Sequence, residues 1–268
     1  MDLILFSTDD IASMNIFENM KNLCNLKEEM VNFFSCNNFY LSIINKEKVF
    51  AENIDVEIEK NTGRNFEKII VASRHRSESG MKSLTVHPIG NFSKAELGGM
   101  DRTLVNVPSR AMTGALLKMV ELNYLKDFSV NYEVTHHGPY INKPVFFIEI
   151  GSNEEEWRNS DAGNIIARTI IGFRETNDPV AVGIGGGHYA PRFTRLAINK
   201  RISFGHMAPK YVLDHLDLDL LLQMEKKSNA KYLVMEKKDL TSSQRKRIMD
   251  ILPSTHLELL EPDSLEDR

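Results

Sequence analysis

The histidines of this sequence are concentrated where apolar, strand-like runs end, and six of the eight directly follow such a run. Imidazoles exchange protons near neutral pH and also bind metal ions, so a group of them could transfer protons or hold a metal. If the strands are parallel, their carboxyl ends meet at one edge of a sheet, where open α/β sheets bind ligands. We therefore predict a histidine site there, against the alternative that each ring only fixes its own turn. The six are His75, His87, His136, His137, His188 and His206.

Three consecutive glycines follow an apolar run in the segment GIGGGHYAPR, residues 183–192. Glycines let the backbone approach a ligand closely, so we expect the N–H groups of Gly185, Gly186 and Gly187 to bind the substrate and stabilise an oxyanion. Arg192 can add a contact to a phosphate or carboxylate. The segment is not a Walker sequence and lacks the third glycine of G-x-G-x-x-G, which disfavours a nucleotide cofactor. A tight strand-to-helix turn is the alternative.

The segment VTHHGP places His136 and His137 side by side, and on an extended backbone their side chains point to opposite sides. Glu149 is an unusual carboxylate within the apolar run VFFIEI and needs a polar partner. It could orient a histidine, hold a metal or pair with an arginine, and the sequence does not choose among these.

Water is the predicted nucleophile, because the sequence has no G-x-S-x-G elbow and neither cysteine neighbours a histidine. His137 or His188 is the candidate base that activates water, with His136 and Glu149 orienting that base. Zinc is the alternative activator, since neutral imidazoles and a carboxylate suit it. In that case His188 and His206 are the first candidate ligands, although no H-E-x-x-H spacing is present.

An α/β fold must position these side chains, because short apolar runs alternate with segments of helical periodicity. This alternation favours a mixed, mostly parallel sheet flanked by helices on both faces. The strands near Val130 and Val145 could form an antiparallel pair. The predicted strands are Leu3–Phe6, Tyr40–Ile44, Lys68–Ala72, Ser83–Val86, Val130–Val134, Val145–Ile150, Val180–Ile184, Ile202–Phe204 and Tyr232–Met235.

Two capping-box patterns predict where helices begin. Ser152 with Glu155 predicts a helix that extends to about Ile171, and Thr241 with Gln244 predicts another that precedes residues 245–252. Apolar residues at helical spacing predict two more helices, one after Pro108 and one over residues 214–226.

We interpret residues 1–268 as one compact domain, because no repeat or low-complexity linker divides them. Within it, residues 1–65 are a variable amino-terminal portion, 66–260 the motif-bearing core and 261–268 an acidic tail. Cys24 and Cys36 form no C-x-x-C pair, so we expect neither a disulfide nor a thiolate zinc site. We predict a cytoplasmic protein for three reasons. The cysteines are expected to stay unpaired, no apolar run is long enough to span a membrane, and the amino terminus is acidic.

The net charge of −4 and the pI of about 6.1 argue against a protein whose whole surface binds nucleic acid. RNA contacts therefore require a local basic patch, for which Arg74, Arg192 and Lys210 are the main candidates. We expect a monomer with no DNA or membrane partner.

Several motifs taken together resemble the archaeal and plant type of D-aminoacyl-tRNA deacylase, strongly over about residues 70–211. They occur in the family's order as SRH (73–75), HPIGN (87–91), the glycine pair at 98–99, PSRAMT (108–113), VTHHGP (134–139), EIGS (149–152), GIGGGHYAPR (183–192) and GHMAPKY (205–211).

The resemblance implies a compact α/β fold similar to phosphorylases and peptidyl-tRNA hydrolases. It also implies hydrolysis of the ester that links a D-amino acid to tRNA, and the use of zinc. Because a fold does not fix function, a zinc-dependent peptidase and a nucleoside phosphorylase-like enzyme remain alternatives. A non-enzymatic tRNA-binding protein is a further alternative, although the usual basic bias and RNP motifs are absent.

Overall fold

The computed structural model describes all residues from 1 to 268, and its strands form one large and one small sheet. The strands are β1 (Asp2–Ser7), β2 (Lys27–Met30), β3 (Phe33–Cys36), β4 (Phe39–Ile44), β5 (Ile69–Arg76), β6 (Ser83–His87), β7 (Ser129–Tyr132), β8 (Val145–Ser152), β9 (Val180–Ile184), β10 (Ser203–Ala208), β11 (Tyr232–Met235) and β12 (Glu258–Leu259). The helices are α1 (Ile11–Leu23), α2 (Ile54–Thr62), α3 (Ser109–Leu122), α4 (Glu154–Trp157), α5 (Ser160–Gly172), α6 (Pro191–Asn199), α7 (Leu218–Ser228) and α8 (Ser242–Ile251).

The large sheet has eight strands in the order β2-β3-β4-β1-β5-β8-β6-β7. Strands β4, β1, β5 and β8 are parallel, whereas β6 is antiparallel to β8 and parallel to β7. The small sheet, in the order β10-β9-β11-β12, is parallel throughout. The prediction of a mixed, mostly parallel α/β architecture is confirmed, but the strands are divided between two sheets instead of forming one.

Both faces of the large sheet are buried, which explains why its central strands read as continuous apolar runs. Alternate residues of β1 point to opposite faces, so that Ile4 and Phe6 join a core with α1, α3 and α5. Leu3 and Leu5 join a second core on the other face, where α2 packs. Helices therefore cover both faces, as predicted.

Every predicted strand forms, but the antiparallel pair suggested for the strands near Val130 and Val145 is wrong. Strand β6 lies between β7 and β8 and pairs with both. Strands β2, β3 and β12 were not predicted. The reason is clearest for β2, whose residues Lys27–Met30 are mostly exposed and lack an apolar alternation.

The capping box predicted at Ser152 is also wrong, because Ser152 is the last residue of β8. Asn153 caps the short helix α4 by accepting a hydrogen bond from the N–H of Glu155. A second cap at Asn159 then begins α5, so two helices replace the single predicted one. The capping box of Thr241 and Gln244 is confirmed at the start of α8.

The remaining helix predictions hold with one shift of boundary. Helix α3 begins directly after Pro108, as expected. In the segment 214–226, the α-helix begins only at Leu218, after an Asp217 cap, and a 3₁₀ helix over Lys210–His215 precedes it. None of the helices is both long enough and apolar enough to span a membrane.

Cys24 and Cys36 are joined by a disulfide, which corrects the expectation that they would not pair. Cys24 caps the carboxyl end of α1, and Cys36 ends β3. Their Cα atoms lie 6.1 Å apart, within the range that a disulfide spans. The packing of α1 beside the amino-terminal hairpin brings them together, and no local motif signals it.

Candidate active site

Five of the six strand-end histidines meet in one cluster, and four of them, all but His87, line a cavity. The reason they meet differs from the one predicted. His75 lies near the carboxyl end of β5, and Glu149 lies on the adjacent strand β8. His87 ends β6, which runs in the opposite direction, and it pairs in register with Phe147 of β8. The site therefore lies on one face of the sheet around Glu149, and not only beyond a common edge of parallel strands.

Glu133, which the sequence analysis did not single out, lies at the centre of the cluster and is fully buried. Its Oε1 lies 3.1 Å from Nδ1 of His75, and its Oε2 lies 2.8 Å from Nε2 of His188. Nε2 of His136 lies 3.6 Å from the same Oε2. The signal was present in NYEVTHH, where a carboxylate lies three residues before the histidine pair.

Glu149 has histidine partners and no arginine partner, which decides between two of the roles left open by the sequence. Its Oε2 lies 3.5 Å from Nε2 of His87 and 3.8 Å from Nδ1 of His75. The rings of His87 and His136 also pack together, with their centroids 4.3 Å apart. The two buried carboxylates thus organise the histidines from two sides.

Four of the histidines have pKa values shifted in opposite directions, His75 and His87 upward and His136 and His137 downward. Burial lowers the pKa of His75, but Glu133 and Glu149 outweigh burial and raise it to about 10. The same balance raises the pKa of His87, with Glu149 as the main partner.

Burial and the neighbouring charge of His87 hold the pKa of His136 well below its ordinary value. The same effects lower the pKa of His137 to about 3. The His136 and His137 rings are therefore neutral at pH 7. Burial raises the pKa of Glu133, but the close approach of His188 and His75 outweighs burial and holds that pKa well below its ordinary value.

The predicted catalytic residues lie together around a cavity of about 350 Å³. His136 is fixed through Nδ1, 2.7 Å from the carbonyl of Val134. Nδ1 of His137 lies 2.5 Å from the carbonyl of Gly138. His188 is half-buried, and only its Nε2 contacts a carboxylate. The four predicted residues that line the cavity are His136, His137, His188 and Glu149.

His206, the second predicted zinc ligand, is not brought to the cluster. It is fully buried, with Nδ1 3.0 Å from Oγ1 of Thr135 and Nε2 2.9 Å from the carbonyl of Val105. Both ring nitrogens are occupied by the protein, so neither is free for a metal. Through Thr135, the ring links the strand β10 to the segment that carries His136 and His137.

The glycine turn supplies fewer free donors than predicted. The N–H of Gly185 donates to the carbonyl of Ala208 at 2.8 Å and is therefore not available. The N–H groups of Gly186 and Gly187 have no acceptor in the protein, and open space lies beside both residues. None of the three glycines lines the histidine cavity.

The three predicted substrate-binding cations occupy different surroundings. Arg74 lines the cavity, where its guanidinium donates to Glu47 at 2.6 Å. Arg192 contacts Glu236 at 3.3 Å outside the cavity wall. Lys210 is exposed, and its backbone N–H donates to the carbonyl of Gly186 at 3.0 Å, which places it beside the glycine turn.

The cluster contains several sets of side chains that could hold a metal ion. His75, Glu133 and His188 form one such set, with their ligand atoms within 4.8 Å of one another. Although both oxygens of Glu133 are close to imidazoles, neither makes a hydrogen bond of good geometry. Lone pairs thus remain for a cation, and nitrogen and carboxylate donors of this kind fit zinc.

Fold and site together define an α/β protein with a buried histidine and carboxylate centre of the kind that hydrolytic enzymes use to activate water. The comparisons with known proteins agree with this class. The family model for D-aminoacyl-tRNA deacylase matches residues 62–260. The chain belongs to the D-aminoacyl-tRNA deacylase family.

The relatives align over most of the chain. A D-aminoacyl-tRNA deacylase of Methanosarcina acetivorans is 39% identical over 99% of this chain and 93% of its own length. One of Thermococcus onnurineus is 44% identical over 79% of this chain and 81% of its own length. A crystal structure of a conserved protein of unknown function superposes with a TM-score of 0.93 at 33% identity, covering 100% of this chain and 98% of the other.

Proposed function

We propose that this protein hydrolyses the ester bond between a D-amino acid and tRNA, releasing the free D-amino acid and the tRNA. The observation that carries the proposal is the Glu133-centred histidine cluster lining a cavity in a chain of the deacylase family. Such a reaction would remove D-amino acids from mischarged tRNA.

His188 is the better candidate for the base that takes a proton from the attacking water. When its Nε2–H donates to Glu133, its Nδ1 carries the free lone pair, and the carboxylate stabilises the imidazolium that forms. His137 is a much weaker base, because its pKa is about 3. His136 and Glu149 then act by fixing the cluster.

The reaction needs no covalent intermediate. The water oxygen bonds to the aminoacyl carbonyl carbon while His188 takes its proton. The bond from that carbon to the terminal ribose oxygen of tRNA then breaks, and the ribose oxygen receives the proton.

As the alternative to base catalysis by His188, we propose a zinc cofactor held by His75, Glu133 and His188, in place of the pair first predicted. When bound, it would polarise the carbonyl or lower the pKa of water to about 7. The protein groups themselves orient the substrate and exclude bulk water from the buried cluster.

We propose that Arg74, Arg192 and Lys210 bind the acceptor end of tRNA, largely through phosphates. Arg74 is at the cavity and Lys210 is exposed nearby, beside the glycine turn. Gly186 and Gly187 present free N–H groups to the same partner. We propose further that the protein acts as a monomer in the cytoplasm, without DNA or membrane partners.

The test compares hydrolysis of D-tyrosyl-tRNA and L-tyrosyl-tRNA, with parallel samples treated with a chelator and then resupplied with zinc. We expect release of the D-amino acid and little release of the L-amino acid. Restoration by zinc would support the metal, whereas full activity after chelation would assign the base role to His188 alone. No tRNA hydrolysis, together with peptide or nucleoside turnover, would overturn the proposal.

A further inference from the structure

Lys48 is a buried cation in the wall of the histidine cavity that the mechanism above does not use. It begins a 3₁₀ helix over Lys48–Phe50, and its side chain is only 3% exposed. Its Nζ lies 2.6 Å from Oδ2 of Asp10. A cation removed from water is costly unless its donors are satisfied, so each of its N–H groups matters.

Only one of the three N–H groups of this ammonium has an acceptor in the protein, which is Asp10. The other two belong to a side chain that lines the cavity. Buried donors without a partner in an active-site cavity are suited to an oxygen atom of the substrate, above all one that becomes negative.

Asp10 holds the ammonium in place and is itself held by the backbone. Its Oδ1 caps α1 by accepting the N–H of Ser13 at 2.9 Å. Its Oδ2 accepts the N–H of Arg74 at 2.9 Å and lies 3.3 Å from Oγ of Ser73. The Lys48 ammonium is thus tied to the first turn of α1 and to β5, the strand that carries His75.

Charged groups of the histidine cluster lie close to Lys48. Burial lowers the pKa of Lys48 below its ordinary value, and the charges of Asp10 and, more weakly, Glu149 offset part of that lowering. Glu149 also contacts His75 and His87, so the ammonium lies within the field of the catalytic cluster. The glycine turn does not line this cavity, and its donors cannot take the same role there.

We propose that Nζ of Lys48 donates a hydrogen bond to the ester carbonyl oxygen and stabilises the negative charge that forms on it during hydrolysis. The inference rests on the proposed deacylase function. As the water oxygen bonds to the carbonyl carbon, the π electrons move to the carbonyl oxygen beside Lys48. They return when the bond to the ribose oxygen breaks, and Lys48 keeps its proton throughout.

The contrasting explanation is that Lys48 only neutralises the buried charge of Asp10. The double variant Asp10→Asn/Lys48→Met separates the two, because it removes both charges together. Asparagine caps a helix as well as aspartate, and methionine matches the length of the lysine stem. Lys48→Met alone and Lys48→Arg complete the set, and Lys46→Met, at an exposed neighbouring lysine paired with Glu57, is the matched control.

The measurement is single-turnover and steady-state hydrolysis of D-tyrosyl-tRNA, with urea unfolding to establish that each variant is folded. For Lys48→Met and for the double variant we expect kcat to fall about 100- to 1,000-fold, the usual effect of losing one oxyanion donor. KM should change little, because the hydrogen bond strengthens mainly as negative charge forms on the carbonyl oxygen in the transition state. Lys48→Arg should retain part of the activity, and Lys46→Met should match the wild type.

Recovery of near wild-type kcat in the double variant would overturn the inference and leave Lys48 a structural counter-ion. A fall in kcat/KM through KM alone would do the same, since it would indicate ground-state binding. If Lys48→Met does not fold, the double variant and Lys48→Arg decide the question. Wild-type protein with no activity on D-tyrosyl-tRNA would instead reject the proposed function itself.

Discussion

Glu133 lies between His75 and His188 and is the carboxylate on which the cluster depends. It is fully buried and ionised, so its charge must be balanced by the imidazoles around it. Sequence motifs drew attention to Glu149 because that residue interrupts an apolar strand. Glu133 follows a short strand in a mixed segment, and only its three-dimensional contacts show its role.

Substitution of Glu133 by glutamine should reduce kcat between about 100- and 10,000-fold, the range associated with a positioned acid or base. The amide keeps the size of the side chain but cannot stabilise a protonated His188. The measurement is the single-turnover rate on D-tyrosyl-tRNA, with Glu121→Gln on the exposed face of α3 as the control. A rate within a few-fold of the wild type would remove Glu133 and His188 from the mechanism.

At the scale of elements, the cavity wall depends on a close approach between two loops. Gly98 has φ +70°, and a Cβ atom there would overlap the backbone carbonyl of Val49. The preceding carbonyl of Leu97 accepts the N–H of Gly138, next to His137. The loop that contains Gly98 therefore joins the segment of Lys48 to the segment of His136 and His137.

Gly98→Ala should destabilise the protein more than Gly80→Ala and should also lower activity. Both glycines have similar positive φ angles, +70° and +66°, so alanine costs about 1–2 kcal/mol of backbone strain at either. Only Gly98 adds a clash, since nothing lies within 4 Å of a Cβ at Gly80. Urea unfolding and deacylation rates of the two variants test this, and equal losses in both would refute the steric argument.

For the whole molecule, the net charge of −4 means that tRNA must be bound by a local group of cations. We propose that the whole of 1–268 acts as one domain, with 1–65, 66–260 and 261–268 as its parts. Residues 1–65 contribute β1–β4 to the large sheet, and their Asp10 and Lys48 reach the cavity. A variable amino-terminal portion would therefore still supply part of the site.

Binding of uncharged tRNA should weaken with salt, and Arg74→Ala and Lys210→Ala should each make that dependence less steep. Removing one cation that binds a phosphate lowers the slope of log K against log salt by roughly 0.7 to 0.9. Filter binding between low and moderate salt measures it. Lys118→Ala, at a lysine that pairs with Glu121 in α3, should leave the slope unchanged. An unchanged slope for Arg74→Ala and Lys210→Ala would place the RNA elsewhere.

Acid should destabilise the fold partly through His206. Burial lowers the pKa of His206 to about 4, whereas the unfolded chain has the ordinary value of 6.5. The unfolded state therefore binds more protons, and stability present above pH 6.5 is lost as the pH falls toward 4. The loss approaches about 3 kcal/mol, since one pKa unit corresponds to about 1.4 kcal/mol.

The variant His206→Gln tests this contribution, because glutamine can also bond to Thr135 and Val105 but does not titrate. We expect it to be less stable than the wild type at pH 7.5 and to lose less stability between pH 6.5 and 4. Urea midpoints at several pH values give the comparison. Parallel pH dependence in the two proteins would show that His206 does not contribute.

Local sequence patterns were sufficient to predict nine of the twelve strands, part of the helices, the histidine-bearing motifs and the family. Secondary-structure elements and motifs depend on apolar periodicity and on residues that are adjacent in the chain, so short stretches of sequence are enough to recognise them. The capping box of α8 is of this kind, because its two residues lie within one helical turn.

Which of those residues meet depends on the three-dimensional arrangement of the strands. The reversed direction of β6 brings His87 to Glu149, whereas His206, which lies in an equally suggestive motif, is buried elsewhere. Three further contacts were also not visible in the sequence. They are the contact of Glu133 with His75, the ion pair of Asp10 with Lys48, and the disulfide of Cys24 with Cys36. Strand order and direction are set by the burial of both sheet faces, a property of the whole chain that no local pattern contains.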